Sequence, residues 1–193
     1  MRNIITNHLA EHIDVFREIS DSHIDVLIQV ANSICDCYKN DKKVVLFGNG
    51  GSAADAQHIA AELVGRYTME RRSLPAIALN INTSVLTAIA NDYHHHQIFE
   101  RQVEGLVNPG DVVIGISTSG NSENIIRGIL KAKEKEALTI AFTGRDGGKI
   151  KDVVHISFEV PSDKTPRIQE VHITAGHIIC ELVEQSLFGN NDK

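Results

Sequence analysis

A histidine and a glutamate one helical turn apart follow closely behind a glycine-rich loop in this chain. The loop is Gly48-Asn49-Gly50-Gly51-Ser52, and the pair is His58 and Glu62. A spacing of four residues puts both side chains on one face of a helix, where they can share a divalent metal ion or act as an acid–base pair. Because a glycine loop that opens a helix offers free backbone N–H groups, chemistry on a phosphorylated or polyhydroxylated small molecule is predicted.

Both features also have a purely structural interpretation. An i,i+4 pair can be a surface hydrogen bond of roughly 0.2–0.5 kcal/mol, and a tight strand-to-helix turn needs glycine for backbone reasons alone. The apolar neighbours of the pair, among them Ile59 and Leu63, predict a largely buried helix, in which an unpartnered carboxylate is costly. A partnered or metal-bound Glu62 is therefore favoured. Ala53 stands where a dinucleotide-binding loop has its third glycine, which argues against that class of ligand.

A second loop is rich in hydroxyl groups. It runs Ser117-Thr118-Ser119-Gly120-Asn121-Ser122, after the apolar run Val112–Ile116 and before a predicted helix. The partial positive charge at a helix N-terminus favours a phosphate there. Serine and asparagine are also ordinary helix caps, but several hydroxyl groups and a glycine behind a buried strand favour phosphate binding.

Two polar residues near the C-terminus, Gln169 and His177, lie eight positions apart in a segment predicted to be a long helix. On a straight helix they are separated by about 12 Å along the axis and roughly 80° around it, which is unsuitable for one metal ion. Either the helix begins after Gln169, or the two residues serve one site from different chains. The structural alternative is a core histidine at 177, with Glu170 and His172 on a polar face.

The tract His94-His95-His96 resembles a metal site only superficially, because consecutive side chains do not face one point. We interpret it as a loop or helix start. Asn91 and Asp92, just before it, are placed between two predicted helices and can supply polar ligands to a sugar.

Short β-branched runs alternate with helical segments from Lys43 onward, which predicts an α/β fold with a doubly wound parallel sheet. The predicted strands are Val44–Phe47, Ala76–Leu79, Val112–Ile116, Leu138–Phe142 and Val153–Phe158. The predicted helices cover about 3–39, with a break at Ser20-Asp21-Ser22 and Asp21 or Ser22 as N-cap, then 53–66, 84–90, 96–107, 122–136 and 167–188, with a turn at 148–152. Ligands bind beyond the carboxyl ends of such strands, where both loops lie.

Bulk properties limit the classes of function. The chain has 193 residues, 42% apolar residues and a formal charge of −6, which argues against a nucleic-acid face. No apolar run approaches the roughly 20 residues of a membrane span, and no signal-peptide apolar region opens the chain. Three cysteines in no zinc-ribbon pattern suit reduced thiols in the cytoplasm. A single domain over 1–193 is expected, with helices in 1–40 for oligomerisation and an α/β core over 41–193.

Several motifs, in order along nearly the whole chain, resemble the phosphoheptose isomerases of the sugar isomerase (SIS) fold. They are the glycine loop, His58-x-x-x-Glu62, Gly65-Arg66-Tyr67, Asn91-Asp92, Gly115–Ser122 and Arg167-Ile168-Gln169-Glu170. The resemblance implies a flavodoxin-like five-stranded sheet with extra N-terminal helices. It also implies a cytoplasmic homotetramer with one Zn²⁺ per subunit and active sites at subunit interfaces. The implied reaction converts sedoheptulose 7-phosphate to D-glycero-D-manno-heptose 7-phosphate for lipopolysaccharide biosynthesis.

The same resemblance implies roles for individual residues. The implied zinc ligands are His58, Glu62, Gln169 and His177, of which Glu62 and His177 are also the proton-transfer pair. The implied phosphate ligands are Ser52, Ser117, Ser119, Ser122 and the Thr118 backbone. The residues implied to contact or order the sugar are Asn49, Gly50, Gly51, Arg66, Asn91 and Asp92, with Glu62 and Gln169 from the metal set.

Two other classes share the fold. Parts of the chain, notably 52–58 and 74–92, resemble non-catalytic tetramers that bind the bacterial replication initiator protein. That adaptor class lacks the acid and the distal histidine, whereas Glu62 and His177 are both present here. A sugar-phosphate-sensing domain of a regulator is disfavoured because no DNA-binding module is expected in this chain. The enzyme is therefore the favoured function.

Overall fold

A five-stranded parallel sheet forms the centre of the computed structural model, which describes residues 1–189. The strands are β1 (Val44–Gly48), β2 (Ala76–Ala78), β3 (Val112–Ile116), β4 (Leu138–Thr143) and β5 (Ile156–Glu159). Their order in the sheet is β2-β1-β3-β4-β5, and each neighbouring pair is parallel. β1 and β3 are buried throughout, as expected for continuous β-branched runs covered on both faces.

Helices cover both faces of the sheet. They are α1 (Arg2–Arg17), α2 (Asp21–Lys39), α3 (Gly51–Val64), α4 (Thr83–Asp92), α5 (Ile98–Leu106), α6 (Glu123–Glu134) and α7 (Thr165–Phe188), with 3₁₀ turns at His95–Gln97 and Gly148–Ile150. Alternate residues of β1 enter opposite cores: Leu46 packs with residues of α2, α3 and α7, and Phe47 with residues of α4, α5 and α6. The predicted doubly wound α/β fold is confirmed. Among residues 1–189, no helix has the length and hydropathy needed to cross a bilayer.

Several predicted boundaries differ from those of the structure, and two of the differences have a local cause. β5 begins at Ile156 rather than Val153, because Val153 donates its N–H to Ile150 in a turn. The His155 ring then accepts the Thr139 N–H at 3.0 Å, occupying the edge of β4 before β5 begins. At the other end of the chain, Ser20 is the N-cap of α2, one residue earlier than predicted, with its N–H donated to His23 Nδ1 at 3.1 Å.

The first helix lies against α7 but buries none of its own residues. His12 Nδ1 lies 2.8 Å from a carboxylate oxygen of Glu170 on α7. The apolar side of α1 remains open, since Ile4, Ile5, Leu9 and Ile13 are 47–61% exposed. An amphipathic helix with an uncovered apolar face is typical of a surface that another protein chain covers.

Candidate functional site

The glycine loop and the hydroxyl loop leave the sheet side by side. Gly48, the last residue of β1, is in register with Ile116, the last residue of β3. The amides of Asn49 and Asn124 hydrogen-bond to each other in both directions at 2.9 Å, which ties the glycine loop to the first turn of α6. This edge is the point where the strand order reverses, the usual ligand-binding position of a doubly wound sheet.

Backbone conformation explains Gly50, and a nearby side chain explains Gly51. Gly50 has φ +57° and is the N-cap of α3, so this helix begins at Gly51 rather than at the predicted residue 53. A Cβ added to Gly51 would lie 2.3 Å from Gln169 Nε2, so a larger residue there would displace that amide from the loop. The loop therefore receives the side chain of Gln169 directly, while Ser52 is buried beneath it.

Three potential metal ligands converge where α3 meets α7. His58 Nε2 lies 3.2 Å from Glu62 Oε1 and 3.0 Å from His177 Nε2. The ligand atoms of the three residues all lie within 4.8 Å of one another. Two imidazole nitrogens and a carboxylate oxygen are ligands that Zn²⁺ prefers, so this triad of His58, Glu62 and His177 fits a divalent ion.

The triad is more open than the sequence predicts. The His58 side chain is 48% exposed and that of Glu62 is 25% exposed, so the prediction that both lie on a largely buried helix is wrong for His58. The buried stripe of α3 is formed instead by Ala56, Ile59, Ala60 and Leu63. The ligand face lies beside that stripe and faces outward in the single chain.

The course of α7 removes one of the two explanations for the eight-residue spacing. The helix includes both Gln169 and His177, so the alternative in which it begins after Gln169 is wrong. The Gln169 amide lies at the glycine loop, whereas His177 reaches His58 two turns later. Gly176 lets α7 approach α3 closely, because a Cβ there would lie 2.6 Å from Ile59 Cδ1.

The core histidine of α7 is His172, not His177. His172 is fully buried, which corrects its placement on a polar face, and its Nε2 lies 3.0 Å from the Thr143 carbonyl oxygen. Burial lowers the pKa of His172 to about 4, although the hydrogen bond with Thr143 opposes the shift. Its neighbour Glu170 is half-buried and accepts a hydrogen bond from Arg167 at 2.6 Å.

Hydroxyl groups of the second loop turn toward one another. Ser117 Oγ donates to Ser122 Oγ at 3.1 Å, and Ser119 Oγ accepts the Asn121 N–H at 3.2 Å. Ser122 is the N-cap residue of α6 but makes no side-chain capping hydrogen bond. Its hydroxyl group is therefore available to a ligand, together with the free N–H groups at the start of α6.

The residues implied to contact the sugar lie mainly on the surface of the chain. Arg66 is exposed and pairs with Glu70 at 3.6 Å. Asn91 and Asp92 end α4 instead of lying between two helices, and the Asn91 amide donates to Asp92 Oδ1 at 2.8 Å. The three side chains remain accessible to a ligand or to a neighbouring subunit.

Two side chains near the triad received no role in the sequence analysis. The Tyr67 ring stacks on His177, with ring centroids 5.5 Å apart and an interplanar angle of 23°. Asp55 lies three residues before His58, and its Oδ2 is buried without a hydrogen-bond partner in the described part of the chain. Burial raises the pKa of Asp55, and the charge of His58 acts in the opposite direction. Its i,i+3 spacing from His58 was the signal available in the sequence.

Comparison with known proteins identifies the family. Residues 7–144 match the model of the SIS domain. The chain is 64% identical over 159 residues to the phosphoheptose isomerase of Aquifex aeolicus, covering 82% of this chain and 83% of the relative. The chain belongs to the phosphoheptose isomerases. The enzyme of this name from Nitratiruptor is 55% identical over 183 residues, covering 94% of this chain and 97% of the relative.

Solved phosphoheptose isomerase structures share the whole fold. The structure from Neisseria gonorrhoeae has a TM-score of 0.91 at 42% identity, covering 95% of this chain and 98% of that chain. The Francisella tularensis structure has a TM-score of 0.92 at 35% identity, covering 95% and 97% respectively. As a phosphoheptose isomerase, the protein is a sugar-phosphate isomerase, an intramolecular oxidoreductase.

Proposed function

We propose that the protein interconverts sedoheptulose 7-phosphate and D-glycero-D-manno-heptose 7-phosphate. The observation that supports this most is the convergence of Glu62, His58 and His177 on one point at the junction of α3 and α7. An aldose–ketose isomerase needs a base, an acid and a positive group near two neighbouring oxygens, and these side chains supply or hold all three. The relatives named phosphoheptose isomerase support the choice of a seven-carbon substrate.

In the proposed reaction, the Glu62 carboxylate removes a proton from the carbon next to the carbonyl, which leaves an enediolate. His177 donates a proton to the oxygen of the former carbonyl, and the proton on Glu62 returns to the neighbouring carbon. The hydroxyl proton of the first carbon passes to His177 and restores its proton, so no proton is gained or lost overall. Glu62 suits the role of base because its side chain is only partly exposed and lies at the triad.

We propose that one Zn²⁺ per subunit is held by His58, Glu62, Gln169 and His177, with Gln169 and His177 of one site supplied by different chains, because one straight helix cannot bring both to one ion. Bound there, the ion supplies a Lewis acid that stabilises negative charge on the substrate oxygens. The donor set of the triad supports a cation site. The Gln169 amide at the glycine loop would link this site to the substrate loop.

Substrate anchoring is assigned to the two loops. We propose that Ser52, Ser117, Ser119, Ser122 and the Thr118 backbone hold the phosphate, at the N-termini of α3 and α6. Asn49, Gly50, Gly51, Arg66, Asn91 and Asp92 would contact or order the sugar. Binding energy from the distant phosphate would then orient the reacting carbons.

We further propose a cytoplasmic homotetramer with active sites at subunit interfaces, which serves the heptose supply of lipopolysaccharide. The open apolar face of α1, continued on α2 by Ile24 and Ile28, supports association. Three buried, unpaired cysteines suit a reducing compartment. The exposure of His58 leaves room for a neighbouring chain at the triad.

The direct test is to incubate the purified protein with sedoheptulose 7-phosphate and follow the aldose by ¹H NMR. Formation of the heptose phosphate, with little conversion of six-carbon ketose phosphates, is expected. A folded protein that produces no aldose, but binds the bacterial replication initiator, would replace the enzyme with the adaptor function.

A further inference from the structure

A buried ion pair lies behind the triad and joins the two helices that carry it. Arg71 Nε donates to Glu184 Oε1 at 2.9 Å, and both side chains are 1% exposed. Glu184 lies on α7, seven residues after His177, and therefore on the same side of the helix. Arg71 follows α3, which carries His58 and Glu62.

Each partner of the ion pair is bonded to the end of α3 or to the segment that follows it. Arg71 donates to the carbonyl oxygens of Glu62 and Leu63 at 2.9 Å each. The Glu184 carboxylate accepts the backbone N–H groups of residues 67, 68 and 69 at 2.8–2.9 Å. We call these groups the α3–α7 clamp: Arg71, Glu184 and the three backbone N–H donors.

The segment held by the clamp places an aromatic ring on a site residue. The backbone N–H of Tyr67 is bound by Glu184, and its ring stacks on His177. The Glu184 carboxylate therefore holds α3 and α7 together and also holds the Tyr67 ring in place. That ring limits rotation of the His177 imidazole. Although burial alone raises the pKa of Glu184, the three N–H donors and Arg71 outweigh it and lower that pKa to about 2.

We propose that Glu184, Arg71 and Tyr67 are positioning residues, which hold His177 beside His58 and Glu62 in a geometry that binds a divalent ion. This inference rests on the proposed function for its link to turnover, but the geometry concerns ion binding alone. Outer residues that orient metal ligands commonly change metal affinity by about 10- to 100-fold when mutated. A buried ion pair that served stability alone would leave the affinity for the ion unchanged in the folded variant.

The chain offers a matched control for Glu184. Asp111 is also a carboxylate that is 1% exposed and paired with a cation, Lys43 Nζ at 2.6 Å. Like Glu184, it accepts backbone N–H groups, those of Lys43 and Asn108 at 3.1 and 2.8 Å. It lies immediately before β3, at the edge of the sheet opposite the two loops.

The test compares Glu184→Gln with Asp111→Asn in the full chain, by titrating metal-free protein with Zn²⁺ against a chromophoric chelator. Both variants are expected to lose stability, but only Glu184→Gln should lose about 10- to 100-fold in Zn²⁺ affinity. Its kcat should fall while KM changes less than about threefold, because the hydroxyl loop remains intact. If the two variants bind Zn²⁺ with equal affinity and the wild type is active, the positioning role is contradicted. The proposed function then still stands.

A second pair of variants decides the matter if Glu184→Gln does not fold. Tyr67→Leu removes the ring but keeps an apolar side chain, and Tyr67→Phe keeps the ring. Leucine is expected to lower Zn²⁺ affinity and phenylalanine to restore it. Equal affinity for Tyr67→Leu and wild type would contradict the proposal. A wild type that neither binds Zn²⁺ nor isomerises the substrate would overturn the proposed function and this inference together.

Discussion

His58 Nε2 and His177 Nε2 lie 3.0 Å apart, although 119 positions separate the two residues in the chain. Two neutral imidazoles form a hydrogen bond at this distance only if one of the two nitrogens carries a proton. Glu62 Oε1 lies 3.2 Å from the same nitrogen of His58 and competes with His177 for it. A divalent ion between the three groups would satisfy all of them at once. The proposed chemistry depends on this convergence.

Removing the carboxylate of Glu62 without changing its shape tests its role as base. We expect Glu62→Gln to lower kcat by at least about 100-fold, since general acid–base catalysis commonly contributes 10²–10⁴-fold. Substrate binding, measured by isothermal titration calorimetry, should persist through the two loops. Glu134→Gln is the control, because Glu134 is exposed and lies at the C-terminal end of α6. Near-normal turnover by Glu62→Gln would contradict the role.

Loss of one hydroxyl group from the second loop should weaken substrate binding more than turnover. Ser122→Ala removes a hydroxyl group that the α6 cap does not use. A hydrogen bond to a charged group contributes about 1.5–3 kcal/mol, so KM is expected to rise about 10- to 100-fold. Ser33→Ala, which removes an exposed hydroxyl group bonded to its own helix, should leave KM unchanged. An unchanged KM in Ser122→Ala would remove Ser122 from the phosphate site.

Acid should destabilise the fold in two separate pH ranges. His172 has a pKa of about 4 in the folded chain against 6.5 ordinarily, so the unfolded chain binds the proton first and stability falls from about pH 6.5 to 4. Glu184 has a pKa of about 2 against 4.5, so its contribution is present above about pH 4.5 and lost toward pH 2. Urea unfolding at fixed protein concentration, measured from pH 7 to pH 2, should show both declines.

The variant Glu184→Gln separates the two ranges. It should be destabilised at pH 7 by about 3–5 kcal/mol, because it leaves Arg71 buried without its carboxylate. It should then show only the decline between pH 6.5 and 4. If the stability of this variant still falls by the same amount in the lower pH range, other carboxylates cause that part of the acid sensitivity.

Because the apolar side of α1 is uncovered in the single chain, we predict that the subunits associate through apolar contacts at this face. The double variant Leu9→Glu, Ile13→Glu places two charges on a face whose residues are 47–61% exposed in the single chain. Charges there should lower the oligomeric mass seen by sedimentation velocity while circular dichroism remains native. The control, Arg2→Glu with Asn3→Lys, changes charge on the same helix. An unchanged mass in the apolar-face variant would place the oligomer interface elsewhere.

Local patterns in the sequence were enough to predict the sheet and the two loops. Buried parallel strands are continuous apolar runs, and the i,i+4 spacing of His58 and Glu62 is visible without a structure. The approach of His177 to that pair was beyond such reasoning, because it depends on how closely α7 packs on α3 at Gly176. Val153 and Val154 were misassigned for a related reason. They are half-buried apolar residues that pack on the core from a turn rather than from a strand.

The roles of Glu184 and Arg71 could not be predicted from the sequence for a different reason. Each is a charged residue on a helix or loop and would ordinarily be assigned to the solvated surface. Only the folded chain brings the carboxylate to three backbone N–H groups and a guanidinium. Long-range pairing of this kind leaves no periodic signal in the sequence.

The most direct test of the proposed function is turnover of sedoheptulose 7-phosphate before chelation, after chelation and after Zn²⁺ is added back. We predict that the purified protein isomerises the substrate, that removal of metal abolishes turnover, and that Zn²⁺ restores it. Full activity in metal-free protein would contradict the metal-assisted reaction at His58, Glu62 and His177. Folded protein that remains inactive in all three states would contradict the isomerase function itself.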